Sequence, residues 1–340
     1  MTTFNESTVV LGIETSCDET AASIVMGGTD VLSSIVSSQI DIHAKFGGVV
    51  PEVASRAHLE LIQPVIDEAI FAAGIHADRI DAIAVTVGPG LIGALLVGVS
   101  AAKAMSLSLN RPLIGVNHLE AHLYAALLDD PGLEFPAVVL LVSGGNTLLL
   151  SMSAPGEYSL LGATIDDAAG EAFDKIARFL DIGYPGGPAI DAAAQRGNPK
   201  AIDFPRAMLH DGLNFSFSGL KTAVINHVRK HSDVSSDDVA ASFQAAVVDV
   251  LAAKLMRAAR ETGARSVVLG GGVAANSLLR SEVARLAEAE GFCIALPSRA
   301  MCTDNAAMIA AAGWHRLDTD GPAGLDLAAE PSMRLELEHA

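Results

Sequence analysis

Cysteine is scarce in this chain, and so is positive charge. Three cysteines, Cys17, Cys293 and Cys302, are spread over 340 residues. An odd, scattered set excludes a disulfide framework and points to a reducing compartment, so a cytoplasmic protein is expected. Lys and Arg number 22 against 40 Asp and Glu, a net charge of −18. Neutralising phosphates needs clustered cations, so this balance disfavours strong nonspecific nucleic-acid binding. The local basic groups, Arg196, Lys200 and Arg206, then Lys221, Arg229 and Lys230, form no dense stripe. Any nucleic-acid role would draw on a partner's charge. No basic segment followed by an apolar one opens the chain, so no secretory signal is expected. The longest charge-free stretch, residues 82–102, is about long enough to span a bilayer. Gly88-Pro89-Gly90 divides it into a strand-like and a helical part, and no membrane span is expected. G-x-x-x-x-G-K-[ST] is absent, which removes the P-loop ATPases and GTPases.

Half of the residues are apolar, enough for a sizeable core, and the length suits two lobes better than one. Apolar β-branched runs predict strands at 9–15, 21–26, 31–37 and 83–87, and helical spacing predicts helices at 51–73 and 91–109. The second half opens the same way. A strand at 137–142, a Ser143-Gly144-Gly145-Asn146 turn and a returning strand at 147–153 precede a helix at 239–262. A strand at 266–269, a helix at 274–289, a strand at 293–296 and a helix at 303–317 complete it. The repeated order of hairpin, helix, strand, glycine turn and helix predicts two α/β lobes with a cleft between them, suited to a nucleotide. Glycine turns at 88–93, 143–145, 183–187 and 270–272 fall where strands end, where backbone amides can approach phosphates closely. Any one of them alone reads as a tight turn. The first matches G-x-G-x-x-G, but it lies outside the first βα unit, carries Pro89, and has no acidic strand end about twenty positions on. A dinucleotide-binding fold is set aside.

His118 and His122, in Val-Asn-His-Leu-Glu-Ala-His, stand four positions apart. On a helix both imidazoles project from one face, a geometry for gripping one metal ion. A zinc protease would place Glu directly after the first His; here that residue is Leu119, and Glu120 stands roughly 200° around the helix from His118. Two packed helix histidines are the other reading. A third ligand must come from a distant segment. Asp304, at the start of the last predicted helix, is a candidate whose ordinary reading is an N-cap. Glu14, Asp18 and Glu19 cluster at the first hairpin. Asp166, Asp167, Glu171 and Asp174 cluster at the start of an amphipathic helix, where they read equally as caps and, for Asp174 with Lys175, as a surface ion pair.

Taken together and in order, GIETSCDET, GGVVPEVASR, GPGLIGALLVG, NHLEAH, LLVSGG, IDDAAGEAFDK, YPGGPAID, FSFSGLKTA, GGGVAANSLLR and CTDNAAMIA closely resemble the TsaD family. The match runs from about residue 9 to residue 313. This resemblance implies a two-lobed, actin-like α/β ATPase (ASKHA) fold, with duplicated ribonuclease H-like lobes and an interlobe cleft. The N-terminal lobe is expected at 8–135, the C-terminal lobe at 136–317 and a tail at 318–340, with the last helix packing back on the N-terminal lobe. The implied reaction moves the threonylcarbamoyl group of L-threonylcarbamoyladenylate to the exocyclic amine of the adenosine 3′ of the anticodon, in tRNAs reading codons that begin with A; AMP leaves.

Carried over by resemblance, the metal ligands fall on His118, His122 and Asp304, for one iron(II) per chain, or zinc. The substrate-binding segment falls on Leu141, Val142, Ser143, Gly144 and Gly145, with further contacts at Asp174, Gly187, Asp191 and Asn276. Asn146 stands where bacterial relatives often carry His. A TsaB-like paralogue and a TsaE-like ATPase are the implied protein partners. For the proton lost by the attacking amine, Asp18 or Glu19 is nominated as acceptor, since both project from the first hairpin toward the same cleft. The rival classes are an actin-fold ATPase or kinase without transfer, which has no need of the histidines, and a noncatalytic interaction subunit, which tends to lack the metal triad.

Overall fold

The computed structural model describes residues 5–130, 132–231 and 233–335; residues 336–340 of the predicted tail lie outside them. In chain order the elements begin with β1 (Val9–Glu14), β2 (Glu19–Met26), β3 (Asp30–Ser38), α1 (Ile40–Ala44) and α2 (Pro51–Ala72). β4 (Ala82–Gly88), α3 (Ile92–Leu109), β5 (Leu113–Asn117) and α4 (His118–Asp129) follow. Then come β6 (Ala137–Val142), β7 (Thr147–Ala154), β8 (Glu157–Ala163), α5 (Ala169–Leu180), α6 (Gly186–Ala194), α7 (Ser218–Lys230) and α8 (Ser236–Thr262). The last are β9 (Ser266–Gly270), α9 (Ser277–Glu290), β10 (Cys293–Ala295), α10 (Arg299–Cys302) and α11 (Ala306–Thr319).

These elements form two compact units. The first takes the described residues up to 130 and from 303 onward; the second takes 132–302. Each holds one five-stranded mixed sheet, ordered β3-β2-β1-β4-β5 in the first and β10-β9-β6-β7-β8 in the second. In both, three strands run as an antiparallel meander and two are added in parallel, by helical crossovers. The α/β class and the repeated order of elements are therefore as the sequence predicts.

Two short strands escaped the sequence pattern. β5 has five residues interrupted by Gly115, and β8 alternates between exposed and buried positions without a continuous apolar run. Three helix starts also differ from the predicted ones: α8 begins at Ser236, three residues earlier than predicted, with Ser235 as its cap. Gly272–Ala275 is a separate 3-10 turn, so α9 begins at Ser277 with Asn276 as its cap. α11 begins at Ala306, because Asn305 caps it by accepting from the Met308 N–H at 3.0 Å. Asp304 is thereby excluded from the capping role and its carboxylate is left for other partners.

β1 is buried on both faces, as its unbroken apolar run requires. Val9, Leu11 and Ile13 meet Ile62, Val65 and Ile66 of α2 and Val99 of α3 in one core cluster. The opposite face receives α11 at very close range, since a Cβ on Gly12 would stand 2.1 Å from the Ala306 carbonyl oxygen. After α11 the chain lies along the same sheet. Ala323 donates its N–H to Leu113 O at 2.7 Å, Glu330 to Val87 O at 2.7 Å, and Pro331 O accepts from Gly90 N–H at 3.1 Å. Leu327 and Met333 pack against the core.

Residues 82–102 divide as the sequence predicts, into β4, a turn at Gly88-Pro89-Gly90 and α3. α3 and α8 are long and apolar enough to cross a membrane. Both are core helices here: α8 is buried along most of its length, and Ala94, Leu95, Val99 and Ala102 of α3 are buried. Gly12→Ala is expected to cost about 2–3 kcal/mol by forcing a Cβ into the α11 contact. Gly145→Ala, whose Cβ would meet nothing within 4 Å, is expected to leave the denaturant midpoint where it was, so the two midpoints check the seating of α11.

Candidate metal centre

The N-terminus of α4 is built around Asn117. Its side-chain oxygen accepts from Leu119 N at 2.9 Å and Glu120 N at 3.3 Å, while its Nδ2 donates to Arg334 O at 3.0 Å. His118 is thus the first residue of a capped helix, and His122 lies one turn later on the same face. Their rings stand 4.8 Å apart at 79°. Asp304 comes from the loop before α11. Its Oδ1 lies 3.5 Å from His118 Nε2 and 3.2 Å from His122 Nε2.

Spacings of this size are what three ligand atoms show when each sits about 2.0–2.2 Å from a common ion. His122 Nδ1 is buried with no hydrogen-bond partner among the described residues, and Nε2, 3.2 Å from Asp304 Oδ1, lacks hydrogen-bond geometry to it. Buried polar atoms are rarely left so unless something else satisfies them. Two imidazoles and a carboxylate suit iron(II) or zinc, and with three protein ligands coordination positions stay open. The His118 and Asp304 side chains keep 12% and 24% exposure against 0% for His122, so the trio is accessible from one side. No other group of three or more potential ligands converges among the described residues.

Glu120 turns away. Its buried carboxylate takes the Arg316 Nε–H at 2.7 Å, which confirms that it cannot serve as base beside the two imidazoles. Glu14 does face the site. It is fully buried and accepts from His118 Nδ1 at 2.9 Å, from Thr86 Oγ1 at 2.6 Å and from the Ser16 N–H. Burial works against charge on His118, but Asp304 and Glu14 outweigh it and raise the imidazole to about 9. Burial likewise opposes charge on Asp304, yet His118 and His122 hold it down at about 2. Glu14 is lowered in the same way, chiefly by His118 against its burial.

Asp18 and Glu19 lie on the same unit at the start of β2, on a loop fixed from behind. His58 Nε2 donates to Cys17 O at 3.0 Å, and Gln39 N–H to Asp18 O at 2.9 Å. Ser38 Oγ donates to Glu19 at 3.0 Å. Burial, reinforced by Asp18 and Asp304, pushes Glu19 up to about 9.

The predicted substrate residues all belong to the second unit: residues 141–145 at the C-terminal end of β6, Asp174 on α5, Gly187 and Asp191 on α6, and Asn276 at the start of α9. Leu141 and Val142 end β6. Ser143 and Asn146 close the following turn through Ser143 N–H to Asn146 O at 2.8 Å and Asn146 N–H to Ser143 Oγ at 3.2 Å. Asp174 accepts from Gly186 N–H at 2.8 Å, and Lys175 pairs with Asp167 and Glu171. Asp191 accepts from the Ser277 hydroxyl at 2.7 Å, and Asn276 donates to Gln244 at 2.9 Å. Asp166 caps α7, not its own helix, through the Phe217 and Ser218 N–H groups.

The glycines of this region separate into two kinds. A Cβ on Gly170, Gly186 or Gly271 would stand 2.4 Å from backbone of Ser143, Asp174 or Val142, so packing alone requires glycine there. Gly144, Gly145, Gly187 and Gly272 meet nothing within 4 Å. Internal packing does not demand glycine at these four, and a Cβ there would fill open space, as in a cradle for a ligand that approaches the backbone.

Glu14 is the residue that sequence reasoning placed in an acidic cluster without a role. Its signal was there: a carboxylate closes a strand otherwise buried and uncharged.

A family model described as TsaD, tRNA N6-adenosine threonylcarbamoyltransferase, matches residues 30–311. The tRNA N6-adenosine threonylcarbamoyltransferase of Symbiobacterium thermophilum is 54% identical over 330 residues, covering 96% of this chain and 97% of that protein. That of Geobacter sp. strain M21 is 54% identical over 332 residues, with 96% and 97% covered. Among solved structures, T. kodakarensis HypF aligns with TM-score 0.63 at 18% identity, over 94% of this chain and 48% of that one. Component A of the Acidaminococcus fermentans (R)-2-hydroxyglutaryl-CoA dehydratase aligns with TM-score 0.56 at 14% identity, over 92% and 100%. These two likenesses bear on the fold alone, which is actin-like.

Metal binding has to displace the His118 proton. Below pH 9 uptake is expected to release one proton per ion, with apparent affinity rising about tenfold per pH unit; calorimetry in buffers of different ionisation heat reads that proton. In the metal-free chain the sign is opposite. The folded value of about 9 lies above the ordinary 6.5, so this group's contribution to stability is complete below about pH 6.5 and lost as pH rises through about 9. Asp304→Ala is expected to abolish stoichiometric metal binding in equilibrium dialysis; unchanged metal content would remove Asp304 from the ligand set.

Proposed function

The chain belongs to the TsaD family of tRNA N6-adenosine threonylcarbamoyltransferases, and on that footing we propose that His118, His122 and Asp304 hold its metal, one iron(II) per chain, with zinc as the second choice. The convergence of the three side chains in one unit carries this reading. When bound, the metal supplies Lewis-acid polarisation of an oxygen of the activated substrate. The residues of the chain supply everything else.

The donor is L-threonylcarbamoyladenylate, a mixed carbamic–phosphoric anhydride that is already activated. The N6 amine of the tRNA adenosine attacks the carbamoyl carbon, the bond from that carbon to the phosphate oxygen breaks, and AMP leaves. The site has to orient the donor and receive charge, not spend ATP. In the second unit, the amides of Ser143, Gly144, Gly145 and Gly272 are assigned to the adenylate. The space over Gly144, Gly145, Gly187 and Gly272 supports that assignment. Asp174, Asp191 and Asn276 are already committed to Gly186, Ser277 and Gln244. They come to the ligand prepositioned, and are proposed to meet ribose hydroxyls or the threonyl part.

The amine's proton needs an acceptor as attack proceeds. Asp18 or Glu19 is the nominated acceptor, and burial with the neighbouring Asp18 and Asp304 charges raises Glu19.

The acidity of the chain supports dependence on partner subunits for tRNA, and a TsaB-like paralogue and a TsaE-like ATPase fit that need. Apolar side chains left outside support a protein partner on the first unit: Leu59 and Phe71 of α2 are 67% and 80% exposed, and Leu96 and Leu107 of α3 50% and 70%. A cytoplasmic location follows from the substrate. The rival reading, an actin-fold ATPase without transfer, gives the histidines nothing to do.

Incubation with threonylcarbamoyladenylate, tRNA and the two partners, followed by nucleoside analysis, is expected to yield threonylcarbamoyladenosine with the wild-type chain and none with His118→Ala. In single turnover, Asp18→Asn or Glu19→Gln is expected to slow transfer about 10²-fold or more, and near-normal transfer by each would remove the pair as acceptor.

A further inference from the structure

We infer that Glu14 is the positioning residue of this centre: it keeps a proton on His118 Nδ1 and so reserves Nε2, the nitrogen facing Asp304, for the metal. The inference rests on the metal reading above and concerns how the chain prepares one ligand.

An imidazole offers two nitrogens, and the one that ligates is set by the hydrogen bond that the other makes. His118 Nδ1 lies 2.9 Å from Glu14 Oε2, and its Nε2 lies 3.5 Å from Asp304 Oδ1. The carboxylate accepts only; it cannot donate to a bare Nδ1. A protonated Nδ1 is thus the state this contact favours, and the lone pair is left on Nε2. The Ser16 hydroxyl, 3.3 Å from the same nitrogen, is the weaker contact.

Glu14 is itself locked. It ends β1, is 0% exposed, and has its two oxygens fixed by the Thr86 hydroxyl and the Ser16 N–H. Thr86 lies on β4, the parallel neighbour of β1. The two central strands of the sheet therefore aim the carboxylate, and the carboxylate aims the imidazole. A purely structural role would be met by Thr86 and Ser16 alone, and would not require a charge at a site where burial opposes it.

The isosteric amide shows why a carboxylate is needed. In Glu14→Gln the NH₂ group must occupy one oxygen position. Placed against Ser16, it sets two donors face to face. Placed against His118, it donates to Nδ1, moves the ring proton to Nε2 and removes the lone pair from the metal side.

The test uses Co²⁺ as probe on metal-free full-length protein, followed by its visible absorption, with circular dichroism to confirm folding. Glu14→Gln is expected to bind Co²⁺ about 10–100-fold more weakly than wild type. Glu14→Asp, which keeps the charge but withdraws it by one methylene, is expected to be weakened as well and serves if the amide fails to fold. On zinc-loaded protein, nitrogen-15 NMR should show a hydrogen-bonded His118 Nδ1–H in wild type that is lost or displaced in Glu14→Gln. Folded Glu14 variants that bind Co²⁺ as wild type does, with that proton unchanged, would overturn the inference. Failure of the wild-type chain to bind Co²⁺ at all would instead sink the metal reading; Glu14 is then judged by whether the His118 Nδ1–H proton is lost in Glu14→Gln in metal-free protein.

Discussion

Everything at the metal centre depends on how closely α11 lies on β1. The missing Cβ of Gly12 admits the first turn of that helix, with the Ala306 carbonyl in the space a side chain would take. Asn305 then caps the helix, and the residue before it is left outside the helical hydrogen-bond pattern with its carboxylate pointing at α4. A helix displaced by one Cβ would carry Asp304 away from Nε2 of both histidines. Backbone proximity, more than any single polar contact, converts a pair of helical imidazoles into a three-ligand site.

Electrostatics then assigns each acid a separate task. Asp304 faces both imidazoles, Glu14 stands behind one of them, and Glu120 is taken out of the centre by Arg316. Glu19 is raised because burial and Asp18 penalise a further negative charge beside Asp304. Carboxyl groups of the same chemistry thus differ in what they can do because their neighbours differ. In the second unit the division is steric: some glycines are required by the packing of backbone on backbone, and others face open space.

Much of this was legible in the residues. β1, β4 and β6 are apolar runs, α2 and α8 have helical spacing, and the repetition of elements is repeated in the two sheets. β5 and β8 were hidden, one by its shortness and a glycine, the other by its exposed positions. The His118–His122 pair declared itself by spacing, but Asp304 became its partner only through resemblance. Local sequence cannot show a contact made across 182 residues by the seating of one helix. The same limit applied to Asp166, which reads as the cap of its own helix and in fact caps α7, 52 residues on. Short-range rules name a capping residue; only the fold decides which helix it caps.

The first unit is not contiguous, and this has a consequence for biosynthesis. Residues 132–302 form a complete unit that can fold once they have left the ribosome, as contiguous domains do. The sheet of the first unit is synthesised earlier, but one face of β1 stays bare until α11 emerges, and the strap that ends by holding Asn117 comes later still. The unit made first is therefore finished last. A nascent chain holding both histidines still lacks Asp304 and with it the third member of the His118, His122 and Asp304 group.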